Sequence, residues 1–137
     1  MALKIGVLGS GNVGQVLAKG LAGLGHEVRI GSRTGDKLKD FSAASGVAEG
    51  TFVDVARGAD VVVIAVKGTV AEGLVRELGD ALAGKVVLDT TNPITDAPPK
   101  EGIVQYFTAA NESLLERLQA LQELGQRGVA DVALERQ

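Results

Sequence analysis

Cysteine is absent from the 137 residues, and histidine occurs once. Without thiols there are no disulfides, thiolate metal sites or cysteine nucleophiles. A single imidazole also excludes a multi-histidine metal site. An excess of positive charge is missing too: 14 Lys and Arg stand against 17 Asp and Glu, for a formal charge of -3. Nothing global draws this chain to nucleic acid or an anionic membrane, so any phosphate binding must be local. Long hydrophobic runs are lacking as well. The longest, Ala59 to Val66, is interrupted by Asp60 and stops at Lys67, far short of the ~20 residues that span a bilayer. Met1 leads almost directly into an apolar strand-like run without a basic leader, so we expect a soluble chain of cytoplasmic type. What is present is 45% hydrophobic residues, enough for one compact domain over residues 1–137.

Leu3 to Leu8 is rich in branched apolar residues without polar alternation, the pattern of a parallel strand covered on both faces. Val13, Val16, Leu17, Leu21 and Leu24 recur at helical spacing until Gly25, which predicts an amphipathic helix buried along that stripe. His26 to Ile30 reads as a second strand and Gly31 to Gly35 as its exit turn, with His26 as a cap or surface residue. Lys37 to Ala44 reads as a short helix, Val47 to Val53 as a weak strand and Asp54 to Gly58 as one helical turn.

Val61 to Val66 is the strongest strand and should be central. The following helix carries Val70, Leu74, Leu78 and Leu82 on one side and is expected to stop at Gly84. Lys85 to Asp89 is another buried strand, and Ile103 to Phe107 reads as an edge strand. Ser113 with Glu116 forms a capping-box pattern before a last helix with Leu114, Leu115, Leu118, Leu121 and Leu124 on its apolar face. Such alternation predicts an α/β fold: a Rossmann-like, doubly wound, mainly parallel sheet with helices on both faces.

Gly9-Ser10-Gly11-Asn12-Val13-Gly14 fits G-x-G-x-x-G between the first strand and the first helix, the context that gives the pattern meaning. Gly9 would allow the tight turn, Gly11 the approach of a pyrophosphate and Gly14 close packing of helix on strand. The helix N-terminus adds free N–H groups and a positive dipole end. A glycine-rich turn among 19 glycines is the plainer alternative.

The second strand ends without the carboxylate that would hold the ribose hydroxyls of NAD. It has Ser32 and Arg33 instead, followed by Lys37. A hydroxyl, a planar guanidinium and a point charge suit the 2′-phosphate of NADP; a solvated basic loop is the alternative. Ala65 and Val66 leave the central strand at its carboxyl end, where their backbone would pass the cofactor. Lys67 could reach a phosphate or face solvent. Asn92 and Pro93 leave the fifth strand on the same edge, either bordering the nicotinamide or merely punctuating a turn. Tyr106 and Phe107 read as packing residues. No carboxylate pair, serine–histidine arrangement or metal cluster stands out, and no catalytic residue is assigned.

Taken together, Ile5 to Gly14, Gly31-Ser32-Arg33 and Asp89-Thr90-Thr91-Asn92-Pro93 resemble the NADP oxidoreductase, coenzyme F(420)-dependent family, from about Leu3 to Gln122. The resemblance implies hydride transfer between NADP(H) and a deazaflavin coenzyme. It implies pyrophosphate contacts for Ser10, Gly11, Asn12 and Val13, 2′-phosphate contacts for Ser32, Arg33 and Lys37, and a position near ribose and nicotinamide for Ala65, Asn92 and Pro93. The departure lies in roughly the last 15 residues, Gly125 to Gln137. There the family's further strand, its Ala-Phe-Asn type segment and its small helical domain are expected to be missing.

We therefore expect an NADPH-dependent oxidoreductase module with a deazaflavin, flavin or small carbonyl as acceptor, and a homodimer could complete its site. The competing expectation is a non-catalytic NADP(H)-binding or sensing domain.

Overall fold

The computed structural model describes residues 1–125 and 131–133. In chain order the elements are β1 (Lys4–Leu8), α1 (Asn12–Gly23), β2 (Glu27–Ser32), α2 (Lys39–Ser45), β3 (Ala48–Thr51), α3 (Phe52–Arg57), β4 (Val61–Ile64) and α4 (Gly68–Leu78). A 3-10 turn (Gly79–Leu82), β5 (Val86–Asp89), α5 (Leu114–Gly125) and β6 (Asp131–Ala133) complete the fold. The six strands lie in the order β3-β2-β1-β4-β5-β6, and every neighbouring pair is parallel. This is the order of the doubly wound dinucleotide-binding sheet.

Alternation along the strands creates two cores. Leu8, Val62 and Ile64 pack with Phe52, Val55, Leu74, Leu78 and Leu114 on one face. Ile5, Val7 and Val63 pack with Ala18, Val28, Ile30 and Leu38 on the other. Because successive side chains point to opposite faces, the unbroken apolar runs of β1 and β4 fill both layers at once.

Four expectations need correction. The first helix exists, and Leu17 and Leu21 of the expected stripe pack partly buried against the second core, but the fully buried residues are Gly14 and Ala18, while Val13, Val16 and Leu24 are 57%, 70% and 76% exposed. The helix is apolar almost all round, so periodicity identified it but chose only part of its inner face. The choice is steric, because a Cβ on Gly14 would collide with the carbonyl of Gly9, and only small residues fit so close an approach. The fourth helix stops at Gly79 (φ 51°), not Gly84, and Leu82 reaches the core from the 3-10 turn. Ile103 to Phe107 forms no strand: two isolated antiparallel bridges, Ile94 to Tyr106 and Lys100 to Ile103, fold residues 93–107 into an arm. Finally, a further strand does follow the last helix. Asp131–Ala133 pairs in parallel with Val87–Asp89, although its three residues are too few to show a period. The rest of the atypical tail, residues 126–130 and 134–137, lies outside the described residues.

The other elements fall within a few residues of their expected bounds, but Phe52 and Val53 open α3 instead of ending β3, and Tyr106 is exposed and not a packing residue. Ser113 and Glu116 cap α5 reciprocally through their side chains and backbone N–H groups, both bonds at 3.2 Å. His26 accepts a hydrogen bond on Nδ1 from the Leu3 N–H at 3.1 Å, which ties the start of β1 to the turn before β2.

Candidate functional site

Above the carboxyl ends of the strands lies an open cavity of about 1000 Å³, where ligands enter doubly wound sheets. Each of its walls follows a strand. Ser10, Gly11, Asn12 and Val13 come after β1, Arg33, Thr34 and Lys37 after β2, and Ala65 to Gly68 after β4. Thr90, Thr91 and Asn92 follow β5.

The glycine loop is built by collisions avoided. Gly9 has φ 148°, and a side chain on it would strike the carbonyl of Ala65; its N–H donates to the Gly31 carbonyl at 3.0 Å. Gly9 and Gly14 thus shape the turn and do not line the cavity. Gly11 differs: a Cβ there would meet nothing within 4 Å, so the space beside its backbone is free. As N-cap of α1 it supplies no side-chain cap, which leaves the first N–H groups of the helix without a side-chain acceptor. Free donors beside open space fit a pyrophosphate.

At the end beside β2, Arg33 lies 5.8 Å above the ring of Phe52, and its Nη1 is 3.4 Å from Glu77 Oε2. Lys37 lines the same end. Ser32 does not: it is 1% exposed, and its hydroxyl accepts from the Gly35 N–H at 3.1 Å. The structure places it behind the wall, shaping the turn that projects Arg33. Asp36 accepts from the Thr34 hydroxyl at 2.6 Å, and this bond lowers its carboxyl below the ordinary range.

At the opposite end, the turn after β5 is held from several directions. The N–H and hydroxyl of Thr91 both donate to Asp89 Oδ1, at 2.9 and 2.7 Å. Thr90 donates from its hydroxyl to the Ile64 carbonyl at 2.8 Å. A Cβ on Gly68 would overlap the carbonyl oxygen of Asn92, so the start of α4 fits against this turn only as glycine. Pro93 lies outside the cavity wall; its carbonyl accepts from the Phe107 N–H at 2.9 Å and anchors the arm. The arm adds Ile94, Thr95 and Asp96 to the cavity, and the Thr95 hydroxyl oxygen is buried without a partner among the described residues.

Behind the arm, Arg117 donates to both oxygens of Glu112 at 2.7 and 2.8 Å and to Glu72 at 3.2 Å. The Arg117 hydrogen bonds hold the Glu112 carboxyl below the usual carboxylate range. The Glu112 bond in turn raises the guanidinium above its ordinary value.

Of the thirteen residues singled out in the sequence, the cavity thus gathers Ser10, Gly11, Asn12, Val13, Arg33, Lys37, Ala65, Val66 and Asn92, and leaves Gly9, Gly14, Ser32 and Pro93 as supports. Phe52, Val70 and Ile94 were missed as lining residues. Each has an apolar side chain that reads as core, and only the crossing of elements exposes it to the cavity. Among the described residues, no group of three His, Asp or Glu is placed to hold a metal, and no helix is long and apolar enough to cross a membrane.

The sequence pattern of the family described as NADP oxidoreductase coenzyme F420-dependent matches residues 4–93. A solved structure from Arthrobacter sp. FB24, provisionally assigned as an F420-dependent NADP-reductase, is 32% identical with a TM-score of 0.80, over 89% of this chain and 59% of that one. The metalloreductase STEAP3 of Rattus norvegicus is 33% identical over 92 residues, which are 67% of this chain and 18% of that protein. A Plasmodium falciparum pyrroline carboxylate reductase solved with NADP bound shares the fold at 18% identity and a TM-score of 0.58, over 96% of this chain and 41% of that one. The chain thus spans 59% of the Arthrobacter protein and 18% of the metalloreductase.

Proposed function

Because the chain belongs to the NADP oxidoreductase coenzyme F420-dependent family, we propose that it is the NADP(H)-binding module of an oxidoreductase that exchanges hydride with a second acceptor, a deazaflavin coenzyme or a flavin. The observation that carries the reading is the pairing of two features in one cavity: the open backbone at Gly11 and the cations Arg33 and Lys37 at the exit of β2. NADPH, when bound, supplies the hydride. The chain's residues bind and orient it. Ser10 to Val13 offer backbone N–H groups to the pyrophosphate, and Arg33 offers donors to the 2′-phosphate, with Lys37 adding charge. Ala65, Val66 and Asn92 border the ribose and nicotinamide, and Phe52 with Val70 supplies apolar wall. Hydride chemistry of this kind needs no protein base, and none is assigned. A homodimer in a cytoplasmic setting belongs to the same proposal, since a second copy would narrow a cavity that is open in one chain.

Calorimetric titration of the chain and of Arg33→Ser with NADPH and NADH tests the reading. Charge-assisted contacts contribute ~1.5–3 kcal/mol, so the variant should lose about tenfold or more in NADPH affinity and little for NADH. Equal weakening of both would reject the 2′-phosphate role. Turnover with reduced deazaflavin or flavin would identify the acceptor. Stoichiometric NADPH binding without turnover would favour the non-catalytic binding or sensing domain.

A further inference from the structure

The guanidinium of Arg33 carries the discrimination between the two dinucleotides in the reading above, so whatever else it holds bears on specificity. It is engaged on one corner: Nη1 lies 3.4 Å from Glu77 Oε2 while the planar group rests over Phe52. Both side chains of the pair are well exposed, at 63% and 48%. Glu77 does not line the cavity, but it belongs to the helix that does. It stands seven residues after Val70 in α4, and seven steps of ~100° return to within about 20° of the same face. Glu77 therefore continues, one repeat further along the helix, the face that Val70 turns toward the cavity.

We propose that Glu77 is a specificity-setting residue: its carboxylate is a counter-ion for Arg33 that competes with the 2′-phosphate, so it weakens NADPH and leaves NADH almost untouched. The inference rests on the 2′-phosphate role of Arg33. A phosphate monoester brings about -1.5 to -2 charges at neutral pH, whereas NADH has a neutral hydroxyl at that position. A phosphate that docks on the free edge of the guanidinium comes within several ångströms of the Glu77 carboxylate and meets like charge. Alternatively it displaces the carboxylate, which then loses its ion pair. In either case the cost falls on the phosphorylated dinucleotide alone. Because the pair is long and exposed, its strength is that of a surface ion pair, so Glu77 trims the preference without abolishing it. Lys37, on the same wall, makes no ion pair among the described residues.

The test is calorimetric titration of the full chain, Glu77→Gln, Arg33→Ser and the double variant with NADPH and NADH, at about 0.01 M and 0.15 M salt. Glu77→Gln should bind NADPH about two- to fivefold more tightly, with NADH unchanged. The gain should shrink at the higher salt, where the screening length falls from ~30 Å to ~8 Å, and vanish in the Arg33→Ser background. Equal effects on both dinucleotides, no effect, or weaker NADPH binding by Glu77→Gln would each overturn the inference; the last would mean that Glu77 steadies Arg33 for the phosphate. The two levels separate cleanly. If Arg33→Ser weakens both dinucleotides alike, the 2′-phosphate reading itself fails. If Arg33→Ser is selective and Glu77→Gln is not, only the role of Glu77 fails.

Discussion

The two ends of the cavity are built in opposite ways. The loop from Gly9 to Gly14 contains nearly all of its own design within six residues, its main outside constraints being the carbonyls of Ala65 and Gly31. The turn from Thr90 to Pro93 is defined by partners far away in sequence: Gly68 at the start of α4, Ile64 in β4, and Phe107 in the arm. A phosphate cradle needs only backbone, a tight turn and a helix end, which a short motif can encode. A surface that presents one face of a ring to an acceptor must be assembled from several strand ends, because no short segment encloses such a volume.

This contrast can be broken first at the glycine loop. Gly9→Ala should cost about 3 kcal/mol or more in urea unfolding, since both its φ and its contact with Ala65 resist a side chain. Gly11→Ala should change stability by less than about 0.5 kcal/mol yet lower NADPH affinity about tenfold, because its surroundings are open. Equal destabilisation by the two would dissolve the division between turn-former and cradle.

The distant construction of the other end is tested by Gly68→Ala beside Gly73→Ala, two glycines of one helix. The first should destabilise by about 2 kcal/mol and disturb nicotinamide-end binding, as Asn92 must move. The second, with nothing within 4 Å, should stabilise by about 0.5–1 kcal/mol through helix propensity. Matching losses in thermal unfolding would show that helix geometry, and not the Asn92 contact, governs Gly68.

The smallest effect should be electrostatic and confined to the ion pair behind the arm. Glu112 is depressed in the folded chain by Arg117, so its contribution is present above the ordinary carboxylate range and is lost as pH falls through the lower folded value. Wild type should therefore melt above Glu112→Gln at neutral pH, and the gap should close toward acid. A gap that persists at low pH would assign the difference to packing. The glycine loop, which contains no titratable side chain, should show no such dependence.

Legibility in the sequence followed the same division. The glycine motif, the missing carboxylate after β2 and the β-α rhythm could be read because each depends on neighbours along the chain. The inner face of α1 could be read only in part, since Val13, Val16 and Leu24 look as buriable as the Gly14 and Ala18 that were buried. Ser32 looked like a phosphate ligand because its type and place fit; only the course of the turn through Gly35 withdrew its hydroxyl from the wall.

By itself, then, the sequence determined the alternation of strands and helices from β1 to β5, the glycine turn after β1 and the basic exit of β2. These follow from local backbone freedom, hydrophobic period and residue charge. Tertiary structure alone decided that Asn92 meets Gly68, that Phe52 underlies Arg33 and that Glu77 of α4 pairs with it. Such contacts join residues 19 to 44 positions apart, and steric fit between packed elements leaves no period in the chain from which they could be read.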